Sequence, residues 1–324
     1  MELSLIIPCF NEEPVIQETY RRVTDVVKND SAKKGYGYEI IFIDDGSTDG
    51  TLAALKTIES KDGCVRYISF ARNFGKESAM FAGLKFAVGD AVVILDADLQ
   101  HPPELIPEMV GLYLEGYNQV VAKRNRNGDG IIRTAFSRLY YKIANLMMDV
   151  NLVDGEGDFR LLSRKAVDAV LSMGETNRFS KGMFAWIGFS VKVIEYENQD
   201  RAAGRSKWSL RKLTRYAADG MLSFNDKPLR VSLYTGLMLV ILAATYIIYS
   251  LIRVFTVGVE APGYFTLISA VLIIGGVQLI STGIIGEYVG RIYYEAKKRP
   301  HFIINEANMQ KAGAVHADGE KYDG

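Results

Sequence analysis

The sequence predicts an α/β domain built on a largely parallel sheet and continued by two membrane-spanning helices. Three observations carry that expectation. Short β-branched runs alternate with amphipathic stretches over residues 1–125, polar clusters follow those runs directly, and beyond residue 230 charge vanishes from two long stretches. Alternating strand and helix is the pattern of a parallel sheet covered on both faces. Ligands on such sheets gather beyond the carboxyl ends of the strands.

Taken in order, residues 3–7 read as strand, 15–27 as helix, 38–43 as strand, 52–58 as helix, 65–70 as strand and 76–86 as helix. A strand over 91–94, a helix over 103–114 opened by prolines, and a strand over 119–122 follow. The first strand leads into Pro8-Cys9-Phe10-Asn11-Glu12 and the second into Asp44-Asp45-Gly46-Ser47. The third leads into Ala71-Arg72-Asn73-Phe74-Gly75-Lys76 and the fourth into Leu95-Asp96-Ala97-Asp98-Leu99-Gln100. Singly, each has an ordinary reading: Asn11 as a helix cap, residues 44–50 as a tight turn, Lys76 as a surface cation, Asp96 and Asp98 as solvated or capping groups. Together on one rim they offer carboxylates and an amide for a base and ribose, cations for a diphosphate, and an oxygen pair for a hard divalent ion. Asp96 and Asp98 are expected on one face, because side chains alternate along an extended chain. No GxGxxG follows the first strand and no GxxxxGK[ST] occurs, which argues against dinucleotide-dependent redox chemistry and P-loop hydrolysis.

The formal net charge is zero, and no nucleic-acid partner is expected. Cys9 and Cys64 are the two cysteines, without CxxC or Cys/His spacing, so a reducing compartment is expected. The first eight residues lack a basic n-region and already read as strand, which is not the pattern of a secretion signal.

Residues 231–251 and 264–286 carry no charge, and each meets the requirement of about 20 residues for crossing a bilayer. A buried helical hairpin is the soluble alternative. Gly275, Gly276, Gly283 and Gly286 give the second run a small-residue face, which makes a homo-oligomer plausible. Arg211, Lys212, Arg215, Lys227 and Arg230 precede the first run, and Arg291, Lys297, Lys298 and Arg299 follow the second. Residues 255–263 between them hold Glu260 and no cation. The positive-inside rule then puts both termini and the domain in the cytoplasm, with two passes. Leu210, Leu213, Ala217, Met221 and Phe224 recur at helical spacing among cations, as in an amphipathic helix lying at the membrane interface. The chain beyond Asn305 is polar and expected to be disordered. The expected divisions are a catalytic domain over 1–205, an interfacial segment over 206–230, spans over 231–257 and 264–286, and a cytoplasmic tail over 287–324.

The four rim clusters, with Leu95-Asp96-Ala97-Asp98-Leu99-Gln100 continuing into His101-Pro102-Pro103, resemble the family 2 glycosyltransferases. More narrowly they resemble the polyisoprenyl-phosphate group, which includes bactoprenol glucosyltransferases, aminoarabinose transferases and dolichyl-phosphate mannose synthases. The likeness covers residues 1–303, since Gly286-Glu287-Tyr288-Val289-Gly290-Arg291-Ile292-Tyr293 resembles the end of the second span in bacterial members.

That resemblance implies a GT-A (Rossmann-like) fold. It implies that Pro8, Phe10, Asn11, Glu12 and Asp45 hold the nucleotide, with Lys76 and Asp96 also in the donor site. Asp96, Asp98 and Gln100 are the implied ligands of Mg²⁺ or Mn²⁺. Arg201, Ser206 and Lys207 match an Arg-x-x-Gly-x-Ser-Lys motif that closes over the donor diphosphate, and Arg124, Arg133 and Ser137 match positions for the acceptor phosphate. Asp158, in Gly157-Asp158-Phe159-Arg160, occupies the position of the catalytic base. Many relatives with hydroxyl acceptors have Glu-Asp where this chain has Gly-Asp, and a phosphate monoester with a second pKa near ~6 needs little proton abstraction. Asp158 is thus either a base or a positioning group. Neighbouring Glu156 reads as a surface loop residue.

The implied reaction is inverting transfer of a sugar to undecaprenyl or another polyprenyl phosphate at the cytoplasmic face of a bacterial inner membrane. UDP-glucose is the first choice of donor, with a UDP-aminoarabinose derivative or GDP-mannose as rivals. A processive polysaccharide synthase would carry Gln-x-x-Arg-Trp, which is absent. A non-catalytic membrane scaffold is the alternative of another class.

Overall fold

A computed structural model describes residues 1–125, 145, 155–175, 178–196, 227–257 and 263–309. The apolar run after Met1 forms β1 (Glu2–Cys9), every residue of which is buried from Leu3 onward. Strands β2 (Gly37–Asp44), β3 (Val65–Phe70) and β4 (Ala91–Ile94) are likewise dominated by β-branched and aromatic residues. β5 (Gln119–Arg124), β6 (Glu156–Ser163), β7 (Val191–Tyr196) and β8 (Ile304–Ala307) complete an eight-stranded sheet ordered β7-β5-β6-β4-β1-β2-β3-β8.

β1 runs parallel to both β2 and β4, and β2 to β3, so the chain order reverses at β1. That reversal opens a crevice beyond the strands' carboxyl ends. β6 lies antiparallel between β4 and β5, and β8 caps the β3 edge antiparallel, so the sheet is mixed.

Side-chain alternation divides the core into two layers. Leu3, Leu5, Ile7, Ile40 and Phe42 pack beneath α1 (Glu13–Lys34), α2 (Thr51–Glu59) and α4 (Ile106–Leu114). Ile6, Ile41, Ile43, Ile94 and Leu162 pack against α3 (Lys76–Phe86), α5 (Arg164–Ser172) and α6 (Ser180–Trp186). Gly83 of α3 is a closest-approach point: a Cβ there would sit 2.2 Å from the Ile6 side chain.

The expected strands and helices through residue 122 all form. The strands at 156–163, 191–196 and 304–307 and the helices α5 and α6 lay outside the expectation. The reason is local. Only the second half of β6 is buried, and β7 exposes four of its six residues, so neither shows a clean apolar period. Glu156 opens β6 half-buried and is not a loop residue.

The expectation of disorder past Asn305 is corrected for residues 306–309, while residues 310–324 lie outside the described residues. Glu306 and Ala307 belong to β8, and the Asn308 side chain accepts from the Tyr67 amide at 2.7 Å. The Ala71 amide donates to the Ile303 carbonyl at 2.9 Å, and Lys56 pairs with Glu306 at 2.5 Å. Just upstream, Phe302 stacks on Phe70 with centroids 5.0 Å apart. A polar segment is ordered here because a sheet edge supplies its hydrogen bonds and one aromatic anchors it.

Two long helices, α7 (Lys227–Val257) and α8 (Tyr264–Lys297), precede that strand. They touch through the Ser232 and Ser281 hydroxyls, 2.6 Å apart. The hydroxyls of Thr235, Thr245 and Thr282 donate to the carbonyl four residues back, leaving no free donor on those side chains. By length and composition one stretch among the described residues, Ile273–Lys297 of α8, is apolar enough to cross a membrane, while α7 carries a shorter apolar stretch, Tyr234–Tyr246. α8 runs past residue 286, the expected end of its span, to Lys297. A Cβ at Gly275, Gly276, Gly283 or Gly286 would meet nothing within 4 Å, so this small-residue face is not used against α7. Of the interfacial segment expected at 206–230, residues 206–226 lie outside the described residues and 227–230 open α7.

Phe302→Ala is expected to weaken the β8 edge by about 2 kcal/mol, below the cost of a fully buried phenylalanine because the ring is only partly covered. Hydrogen exchange in detergent micelles checks it: the Ala71 amide should exchange roughly 30-fold faster, with β1 and β2 amides unchanged.

Candidate active site

The rim is stitched together loop to loop. Asn11 adopts a left-handed conformation (φ 53), its amide donates to Ser47 Oγ at 2.9 Å, and its carboxamide oxygen accepts from the Thr48 amide at 2.8 Å. The Glu12 amide donates to Thr51 Oγ1 at 2.9 Å, while its carbonyl accepts the Val15 and Ile16 amides and starts α1. Buried Asp44 accepts from the Ser47 amide and the Ser69 hydroxyl at 3.0 and 2.7 Å.

Asp45, 4% exposed, reaches across to the next loop and accepts the Phe74 amide at 2.7 Å and the Gly75 amide at 2.9 Å. Burial pushes its pKa up to about 6, against the pull of those two amides. Gly46 (φ 67) lies under the same loop, where a Cβ would come within 2.4 Å of the Arg72 carbonyl carbon. Much of the polar inventory expected to meet a nucleotide is therefore also building the rim. Pro8 is buried in β1, and Phe10 and Glu12 are half-buried beside it.

Past β4 the backbone leaves the strand at Ile94, yet burial still alternates: Leu95, Ala97 and Leu99 are buried while Asp96, Asp98 and Gln100 are half-exposed. The segment forms a turn and not an extended strand, closed by Leu99 (φ 57) and by the Gln100 amide donating to Asp98 Oδ1 at 3.1 Å.

The centre of the site comes from β6. In the antiparallel ladder Ile94, the last residue of β4, lies opposite Arg160, so Asp96 in the turn just past β4 and Asp158 near the start of β6 come to the same side of the rim. Between them stands Lys76, the first residue of α3, with its Nζ 2.6 Å from Asp96 Oδ1 and 2.6 Å from Asp158 Oδ2. Asp96 also faces His101 Nε2 at 3.4 Å, and His101 Nδ1 meets the Tyr196 hydroxyl at 2.6 Å.

Burial alone would raise both carboxyl pKa values and lower that of the lysine. The ion pairs reverse this: Lys76 is held well above the usual lysine range, and Asp96 and Asp158 below the usual carboxylate range. Burial and the nearby Asp158 push Glu77 up to about 7, although it accepts from the Ser180 amide and hydroxyl. Burial lowers the Lys181 pKa, opposed by the attraction of Asp158.

His101, Tyr196, Glu77 and Lys181 were not singled out from the sequence. His101 and Glu77 adjoin named residues and could have been flagged by position. Tyr196 and Lys181 come from distant segments and had no local signal. Arg124 ends β5 half-buried, whereas Arg133, Ser137, Arg201, Ser206 and Lys207 lie outside the described residues.

The donor atoms fit a hard divalent cation. Asp96 and Asp98 present carboxylate oxygens from one turn, and Asp158 Oδ1 is buried with no hydrogen-bond partner among the described residues. No set of three His, Cys, Asp or Glu side chains is gathered for a metal among the described residues, and Lys76 holds the Asp96 oxygen that such an ion would take.

Two family models match the chain: Glycosyl transferase family 2 over residues 4–171 and the GtrB C-terminal hairpin over residues 227–292. The Bacillus subtilis (strain 168) protein CsbB, named as a glycosyltransferase, is 52% identical over 307 residues, covering 95% of this chain and 92% of its own. The SfII prophage-derived bactoprenol glucosyl transferase of Shigella flexneri is 40% identical, over 95% of this chain and 99% of its own. A prophage bactoprenol glucosyl transferase homolog of Escherichia coli (strain K12) is 39% identical, over 94% and 98%.

Replacing Lys76 by Met removes the one cation that bridges the two carboxylates among the described residues. Their folded pKa values should then rise above those of the unfolded chain. The sign follows: the deficit is small near pH 4, where protonation relieves the repulsion, and grows as pH rises through the raised values. At pH 7 the expected loss is about 2 kcal/mol, the cost of breaking a buried pair discounted because Lys76 is 38% exposed. Denaturation of wild type and Lys76→Met across pH 4–8 measures it.

Proposed function

The chain belongs to glycosyl transferase family 2, and from that premise we propose that it moves a sugar from a nucleoside diphosphate, UDP-glucose first among candidates, onto a polyprenyl phosphate at the cytoplasmic face of a membrane. Support comes from the GtrB-type hairpin and from relatives named bactoprenol glucosyl transferase that align over nearly their whole length. The observation that carries the reading is that Asp96, just past β4, and Asp158, in β6, are drawn together on one Lys76 ammonium. It sets a group for the acceptor against a group for the donor on one rim.

In this reading Pro8, Phe10, Asn11, Glu12 and Asp45 form the nucleotide end, and Arg201, Ser206 and Lys207 close over the diphosphate. Asp96 and Asp98, with Gln100, would hold Mg²⁺ or Mn²⁺, which when bound neutralises charge growing on the departing diphosphate. An oxygen of the lipid phosphate attacks the anomeric carbon from the side opposite the diphosphate. The carbon–oxygen bond to the diphosphate breaks, its electron pair leaves with the nucleoside diphosphate, and configuration inverts. An α-linked donor thus yields a β-linked lipid phosphate sugar.

Asp158 serves as a positioning group rather than a base. Its pKa lies below the usual carboxylate range, which makes it a poor proton acceptor, and a phosphate acceptor has little proton to give. Arg124, Arg133 and Ser137 steady the acceptor phosphate.

The chain spans the membrane twice, through α7 and α8, with both termini and the domain over 1–205 in the cytoplasm. The polyprenyl tail stays in the bilayer while its phosphate reaches the rim. The open glycine face of α8 suits a second copy.

The test is transfer from radiolabelled sugar nucleotides to a short-chain polyprenyl phosphate by detergent-purified protein, with Mg²⁺ or EDTA. Label should enter the lipid fraction only with metal, most strongly from one donor, and fall about a hundredfold or more in Asp98→Ala. Transfer to hydroxyl acceptors alone, or to none with folded protein, overturns the reading.

A further inference from the structure

Lys181 is a cation that neither the fold nor the donor site accounts for. It sits at the second position of α6, which is pinned at both ends of one turn. Ser180 donates to the Glu77 carboxylate on α3, and Phe184 lies beneath the Arg160 guanidinium at 4.0 Å. Arg160 in turn donates to the Gly157 carbonyl at 2.8 Å, beside Asp158. The turn carrying Lys181 is thus fastened both to the helix that supplies Lys76 and to the strand that supplies Asp158.

Lys181 is half-buried and has no ion pair or hydrogen bond among the described residues, although Asp158, Arg160, Lys76 and Glu77 all act on its charge. A desolvated ammonium left unpaired is costly unless an anion arrives to meet it. Asp96 leans on Lys76 and His101, whereas Asp158 feels both Lys76 and Lys181.

We propose that Lys181 binds the phosphate of the acceptor beside Asp158, a role resting on the phosphate-acceptor reading given above. A phosphate brought close to the Asp158 carboxylate is repelled unless a cation stands next to it, and Lys76 is already shared between two carboxylates. Lys181 supplies that charge without being drawn from an existing pair. It holds the nucleophile by its non-attacking oxygens and moves no proton.

The test uses full-length protein in detergent, comparing Lys181→Gln and the charge-keeping Lys181→Arg with wild type. The Michaelis constant for a short-chain polyprenyl phosphate is measured at saturating donor, and UDP affinity is measured separately by calorimetry. Lys181→Gln should raise the acceptor constant about tenfold or more with UDP affinity changed less than twofold, and Lys181→Arg should recover most of the loss. Inorganic phosphate should inhibit wild type competitively against the acceptor, and inhibit Lys181→Gln more weakly. An unchanged acceptor constant in Lys181→Gln overturns the proposal. So does a loss of UDP affinity matching the loss of activity, or a fall in melting temperature in Lys181→Arg as large as in Lys181→Gln. Wild type that transfers no sugar to lipid phosphate fails the acceptor reading itself, before any variant is compared.

Discussion

Two carboxylates, Asp96 in the turn after β4 and Asp158 in β6, share one ammonium. Like charges drawn to one place repel unless a cation stands between them. Here Lys76 enters from a third element with 2.6 Å contacts to both. Its placement depends on the loop before α3, which Asp45 grips through the Phe74 and Gly75 amides, and on Gly75, whose φ of 97 turns the chain into the helix. The ends of β2, β3, β4 and β6 thus share one electrostatic constraint.

The same constraint reaches toward α8. The Ala71 amide, at the start of the loop leading to Lys76, is bonded to the Ile303 carbonyl, and Phe302 packs on Phe70 at the end of β3. The segment leaving α8 is therefore wired into the loop that positions the central cation. This edge strand provides a short covalent and hydrogen-bonded path between α8 and the rim.

A divalent ion held by Asp96 and Asp98 would compete for the oxygen that Lys76 holds, which would link metal binding and the lysine bridge through one carboxylate. The bridge keeps Asp158 ionised, which suits a group that orients an already charged nucleophile better than one that takes its proton.

The alternation of strand and helix and the rim clusters were legible in the sequence, because they depend on local periodicity and on punctuation by Gly and Pro. Charge-free runs announced the long helices for the same reason. Tertiary structure alone brought Asp158 to the same lysine as Asp96, since β6 enters the sheet between β4 and β5, and register between distant strands leaves no local trace. It also turned Lys76 from a plausible surface cation into a bridge, spent Asp45 on a neighbouring loop, and paired residues 304–307 to the sheet edge as β8. Each of these outcomes is a pairing between segments far apart in the chain, where the energy lies in the contact and not in either residue's own preference.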